Sequence, residues 1–181
     1  WLLVGLRMAL RGQAVGQAAF PRLAAQAEAG DWREMRATLL RSLGGAVALA
    51  LPALVLLLWL GRFVIRALFE RGEFTAAAGD VTYSVLVIYA IALPSYVATE
   101  VITRGLIALR DTRTPLITNT LQLLGRGAIL SLFVAHVGVQ IIPLAFAVTS
   151  TVETLILGTV LLLKLRARQD AGSMSRDARG G

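Results

Sequence analysis

The polar and apolar positions of this chain are segregated into long blocks. Residues 42 to 61, SLGGAVALALPALVLLLWLG, carry no ionisable side chain. At 1.5 Å of rise per residue they make a helix of about 30 Å, the thickness of a bilayer's hydrocarbon. Residues 81 to 99 form a second such block, ended by Glu100. Residues 115 to 135 form a third, interrupted only by Arg126, and residues 138 to 163 a fourth, interrupted only by Glu153. Lipid offers no partner to backbone N–H and C=O groups, so blocks of this length are helices and not strands. The pattern predicts an all-α, polytopic membrane helix bundle.

Between the blocks the pattern changes period. From Asp31, DWREMRATLLRSL spaces Trp32, Met35, Leu39, Leu40 and Leu43 at helical intervals, and Asp31 with Glu34 three residues on reads as a capping box. This predicts an amphipathic helix in the headgroups over residues 22–41, with the membrane entered at Ser42. After Gly61 an amphipathic turn or two sets Phe63, Leu68 and Phe69 against Arg62, Arg66 and Glu70, and Gly72 breaks it. The next helix is expected to start between Thr75 and Asp80 and to run to Leu109, with Pro94 as a bend. Thr114-Pro115 is expected to cap and open the third span, and Gly138 to turn the chain into the last. Residues 1–21 read as the end of a membrane helix closed by Pro21, with Gly12 and Gly16 on a small-residue face. Residues 42–165 make the four-helix bundle, and the small, polar residues 166–181 read as a disordered tail.

Composition sharpens the class. Hydrophobic residues are 56% of the 181 and mean hydropathy is +0.71, too apolar for one soluble core. The formal charge of +7 would suggest nucleic acid in a soluble protein. Here the arginines lie between apolar spans, which argues against a nucleic-acid partner and for the bilayer itself. With no cysteine there is no disulfide or thiolate metal site, and no cofactor or metal is expected. The first residue is Trp and no signal-peptide pattern precedes the first apolar stretch, so the chain reads as a piece of a longer protein.

The connections also fix an orientation. Arg22, Arg33, Arg36 and Arg41, then Arg104, Arg110 and Arg113, then Lys164, Arg166 and Arg168 all fall on one side, ten in number. The other side has Arg62, Arg66 and Arg71, diluted by Glu70, Glu73 and Asp80. The basic side is the cytoplasmic one, and the C-terminus lies there.

The segments GQAVGQAAFPRLAA, ALPALV, ALFERGEF, YAIALPSY and ALRDTRTP, in this order, resemble the MurJ (MviN) family of lipid II flippases in the MOP exporter superfamily. The resemblance covers about residues 12 to 168, from the eighth membrane helix of that family to about the twelfth. It implies part of a two-lobed, MATE-like transporter in the bacterial cytoplasmic membrane. Such a transporter carries undecaprenyl-linked peptidoglycan precursor from the inner to the outer leaflet, and this chain's partner is then the N-terminal lobe. Around Arg7 the chain departs from the family's usual run, so no substrate arginine is carried onto it. Related exporters of drugs or polysaccharide lipids, and a truncated fragment without transport, are the alternatives. An intramembrane enzyme is disfavoured, because one histidine and no paired aspartates within a span give neither a zinc motif nor a metal cluster.

Candidate site residues follow from charge. Arg126 lies eleven residues past Pro115 and Glu153 eleven before Lys164, so antiparallel neighbours are expected to bring them together at equal depth as an ion pair, the alternatives being that they face a substrate or ion path or that they stay unpaired and out of line. Glu100 and Arg104 have the i,i+4 spacing of a helical salt bridge or line a cavity mouth. Asp111, Arg113, Thr114 and Pro115 form a loop that caps the third span or gates. His136 reads as a solvated loop residue. Gly125 and Gly127, beside Arg126, are candidate bending points.

Overall fold

A computed structural model describes residues 21–70 and 74–180, giving the backbone alone at residue 137 and at residues 172–180. The readings made for residues 1–20 and for Gly72 fall outside the described residues. Every described element is helical: α1 (residues 21–28), α2 (Trp32–Phe69), α3 (Ala76–Ala108), α4 (Arg113–Val137), and, after a single 3-10 turn, α5 (Ile141–Gly180). Four helices, α2 to α5, are long and apolar enough to cross a membrane.

Several boundaries follow from local chemistry. The Thr75 hydroxyl accepts the Ala78 N–H at 3.3 Å and opens α3 where the sequence predicts it. Gly138, at φ 72°, closes α4. The α3–α4 connection is a Schellman turn: the Arg110 N–H reaches the Ile107 carbonyl and the Asp111 N–H reaches that of Leu106, both at 2.9 Å, with Arg110 left-handed at φ 59°. Residues 26–31 make the same turn, with Gly30 at φ 69° and Asp31 bonded back to Gln26.

Two expectations are corrected. The headgroup helix and the first span are one element, because no breaker stands between Asp31 and Ser42 and because Met35 and Leu39 are buried by the same neighbours that pack the span. Residues 166–180 continue α5 instead of forming a disordered tail. A helix already nucleated extends cheaply through Arg, Ala and Gln. Trp32 also holds the first turns of that extension, accepting from Gln169 Nε2 on its carbonyl at 3.4 Å and lying under the Arg168 guanidinium at 5.3 Å. Pro21 is the first described residue of α1, and its reading as the close of a preceding span lies outside the described residues. Pro94 lies within α3 and Gly125 and Gly127 within α4, where a bend would leave the helical assignment unchanged.

α3 packs against both α2 and α5, while α4 packs along α5 and scarcely touches α3. Apolar side chains of α2 and α4, such as Trp59, Leu121 and Leu132, point outward, as suits a protein solvated by lipid. One end collects the α2 N-terminus, the α3–α4 turn and the α5 C-terminal turns, tied by Arg110–Glu28 at 3.8 Å and Lys164–Asp111 at 2.5 Å. A buried cluster of Leu23, Met35, Leu39, Ile102, Leu106, Leu157, Leu161 and Leu165 fills that end. Gly105 lets the helices close here, since a Cβ on it would lie 2.7 Å from Leu39 Cδ2 and 3.3 Å from Leu161 Cδ2.

At the opposite end Arg62 binds both Glu70 and Asp80, joining the last turn of α2 to the first of α3. Tyr83 donates to the Leu58 carbonyl at 2.6 Å and Gln140 to Ser84 at 3.1 Å.

Candidate functional site

A polar seam runs through the middle of the bundle where α3, α4 and α5 meet. On α5 the run TSTVET places Thr149, Ser150 and Glu153 in the interior, and Ser150 is 1% exposed. Thr151 and Thr154 of the same run meet α3. Thr154 and Thr99 hydroxyls lie 2.6 Å apart, the Thr154 hydroxyl lies 3.0 Å from the Ser95 carbonyl oxygen, and Thr151 reaches Ser95 Oγ at 3.4 Å. Hydroxyls suit this role because each can donate back to its own helix carbonyl, as Thr154 does to Ser150, and still accept from a neighbour.

Glu153 and Arg126, expected to pair, do not form an ion pair. Arg126 meets Phe146, seven residues before Glu153, so α5 is slid along α4 by about 10 Å from the equal-depth count. Glu153 is thereby brought opposite Thr118, with Arg126 attracting and Glu100 repelling its charge. Arg126 stacks instead on the Phe146 ring, its guanidinium carbon 4.7 Å from the centroid. Tyr89 and Tyr96 flank that ring with centroids at 5.4 and 6.0 Å. Arg126 Nε and Ser150 Oγ are buried without a hydrogen-bond partner among the described residues. The remedy for an intramembrane arginine is here an aromatic face, whose negative quadrupole attracts a cation most where water is excluded.

The other predicted residues lie at the basic end. Glu100 and Arg104 meet at 3.9 Å along α3, both partly exposed, as the i,i+4 spacing predicts. Asp111 and not Thr114 caps α4. Its Oδ1 accepts the Thr114 N–H at 3.0 Å, and its Oδ2 accepts the Thr114 hydroxyl and Lys164 Nζ, each at 2.5 Å. Pro115 consequently stands at the third helical position, still inside the first turn, where its missing N–H has no intrahelical acceptor. Burial works to raise the Asp111 pKa, but the bonds from Lys164 and Thr114 outweigh it and hold the carboxyl at about 2. Arg113 is exposed beside this cap. The four loop residues therefore stand together, while Arg126 and Glu153 lie some turns away along the bundle.

The family model for the lipid II flippase MurJ matches residues 1–176. The chain belongs to the MurJ family. A probable lipid II flippase MurJ of Rhizobium meliloti (strain 1021) is 35% identical over 112 residues, covering 62% of this chain and 21% of the relative. The lipid II flippase MurJ of Thermosipho africanus (strain TCF52B) is 29% identical over 113 residues, covering 62% and 23%. A solved structure described as lipid II flippase MurJ in an inward closed conformation superposes with a TM-score of 0.68 at 25% identity, over 79% of this chain and 30% of that one. The chain spans about a fifth of the length of the curated relatives it matches. The five described helices share their fold with part of that solved structure.

Sequence reasoning missed the Ser95–Thr99–Thr151–Thr154 hydroxyl contacts and the Tyr89–Tyr96–Phe146 cluster. A signal for the first was present, since Ser95 and Thr99, like Thr151 and Thr154, share one helix face at four- and three-residue spacing.

Proposed function

We propose that this chain forms part of one lobe of a lipid II flippase in the bacterial cytoplasmic membrane. There it takes part in moving undecaprenyl-pyrophosphate-linked peptidoglycan precursor to the outer leaflet by alternating access. The family match over residues 1–176 carries the reading. Physical need supports it: a pyrophosphate headgroup cannot pass bare through hydrocarbon, so a lobe of rigid helices must rock against another around a polar path, with no bond made or broken. The remaining lobe of the same protein is the implied partner.

In this reading the basic end, where the Arg110 and Lys164 turns meet, faces the cytoplasm, in keeping with the positive-inside rule. The Asp111, Arg113, Thr114 and Pro115 loop moves together with α5 because Asp111 bonds Lys164. Arg126 and Glu153 belong to the polar seam that joins α4 to α5 and α3, and Glu100 with Arg104 stands at its basic mouth.

Depletion of the protein in cells should leave lipid-linked precursor accumulating in the inner leaflet. Unaltered precursor with lost drug efflux would instead assign it to a related exporter. The cysteine-free sequence makes orientation directly measurable. A membrane-impermeant maleimide added to intact cells should label Val139→Cys and spare Thr112→Cys; the reverse pattern would overturn the topology.

A further inference from the structure

An apolar groove of about 120 Å3 opens between α2, α3 and α5 at the basic end. Leu39, Leu40 and Leu43 form one wall, Ile102 the floor, and Leu161 and Leu165 the other wall, with Gly158 leaving the space between them open. It extends from residue 36 to residue 43 of α2, about 10 Å along the axis. Arg36 is the one charged residue in the lining, and it makes no ion pair among the described residues. The groove straddles the level at which ionisable residues begin on all three helices, at Arg41, Glu100 and Lys164. In a bilayer this is the border between headgroups and hydrocarbon.

We propose that this groove is a binding site for an anionic glycerophospholipid, with the upper part of one acyl chain against the leucines and the phosphate on Arg36. The wall offers hydrocarbon nothing to hydrogen-bond, which excludes a polar ligand from its depth. A guanidinium with no carboxylate partner at the mouth is a ready phosphate receptor, and planar N–H donors match phosphate oxygens. An anionic lipid satisfies both at once, whereas a neutral zwitterionic lipid brings its own cation to the arginine. The site serves to fix the basic end against its leaflet and stands whether or not the protein transports lipid II.

Native mass spectrometry or scintillation proximity on the full chain in detergent tests this, with phosphatidylglycerol and phosphatidylcholine as probes. Phosphatidylglycerol should bind about fivefold more tightly, the ratio expected for one basic residue near an anionic headgroup. R36Q should remove that preference and R36K should keep most of it, while R33Q, an exposed arginine on the same helix, should leave it unchanged. G158L, which fills the groove, should weaken both lipids. Circular dichroism identifies any variant that has merely unfolded, and R36K against R36Q then carries the comparison. Equal binding of the two lipids, equal effects of R36Q and R33Q, or no effect of G158L would overturn the proposal. Displacement of phosphatidylglycerol by equimolar undecaprenyl phosphate would overturn it too, giving the groove to a polyprenyl lipid.

Discussion

Gly30 and Arg110 hold the same position in two copies of one turn. Each is the left-handed residue of a Schellman motif, at φ 69° and 59°, and each is followed by an aspartate that caps the next helix, Asp31 on the Glu34 N–H and Asp111 on the Thr114 N–H. The two turns are neighbours, joined by the Arg110–Glu28 contact. A side chain at positive φ costs about 1–2 kcal/mol, and the exposed ion pair offsets little of that. Arg110→Gly should therefore raise thermal stability in detergent by about 1 kcal/mol, and Gly30→Arg should lower it by a similar amount, both read from tryptophan fluorescence melts.

Asp111 links the cap of α4 to α5. With its pKa depressed to about 2 in the folded chain, its contribution is fully present above its ordinary value near 4 and is lost as pH falls through 2. Melting temperature should fall over that window in the native sequence. Asp111→Asn should be less stable at neutral pH by about 1–2 kcal/mol and should lack that acid-side drop. A titration of melting temperature from pH 5 to pH 2 measures both.

The position of Arg126 over Phe146 sets a coupling test. A double-mutant cycle of Arg126→Gln with Phe146→Leu should give a coupling of about 0.5–2 kcal/mol. The cycle of Arg126→Gln with Glu153→Gln should stay below it, since those two side chains form no ion pair among the described residues. Unfolding of the detergent-solubilised chain by a graded denaturing detergent supplies the energies.

Gly105 and Gly127 should respond oppositely to a larger side chain. A Cβ at Gly105 meets Leu39 and Leu161, so Gly105→Val should cost about 1–3 kcal/mol by forcing α2 and α5 from α3. A Cβ at Gly127 meets nothing within 4 Å, so Gly127→Ala should be neutral or stabilising by up to about 1 kcal/mol. Both are read from the same melts, and transport lost in a stable Gly127→Ala protein would identify that glycine as a bend.

The element order was legible because it rests on single-chain properties: block length, the Thr75 cap and the Gly138 turn. The continuity of α2 across Ser42 was not, because a change from amphipathic to uniformly apolar pattern marks a change of solvent and need not mark a change of backbone. The Arg126–Glu153 pairing failed on register. Depth counted from Pro115 and Lys164 assumes that these two are level, and the contacts of Arg126 with Phe146 and of Glu153 with Thr118 show that they are not. The stacking of Arg126 on Phe146 depends on that same sliding and could not precede it.

The tethering of Arg62 by Glu70 and Asp80 has an electrical consequence. One tip of the bundle is largely self-neutralised while the other keeps Arg36, Arg41, Arg113 and Arg166 among its surplus cations, so the molecule is a dipole along the membrane normal. Across an energised bilayer each elementary charge shifts the balance by about 2.3 kcal/mol per 100 mV. In the orientation proposed above, a negative interior attracts the basic tip, so membrane voltage works to keep the bundle that way round.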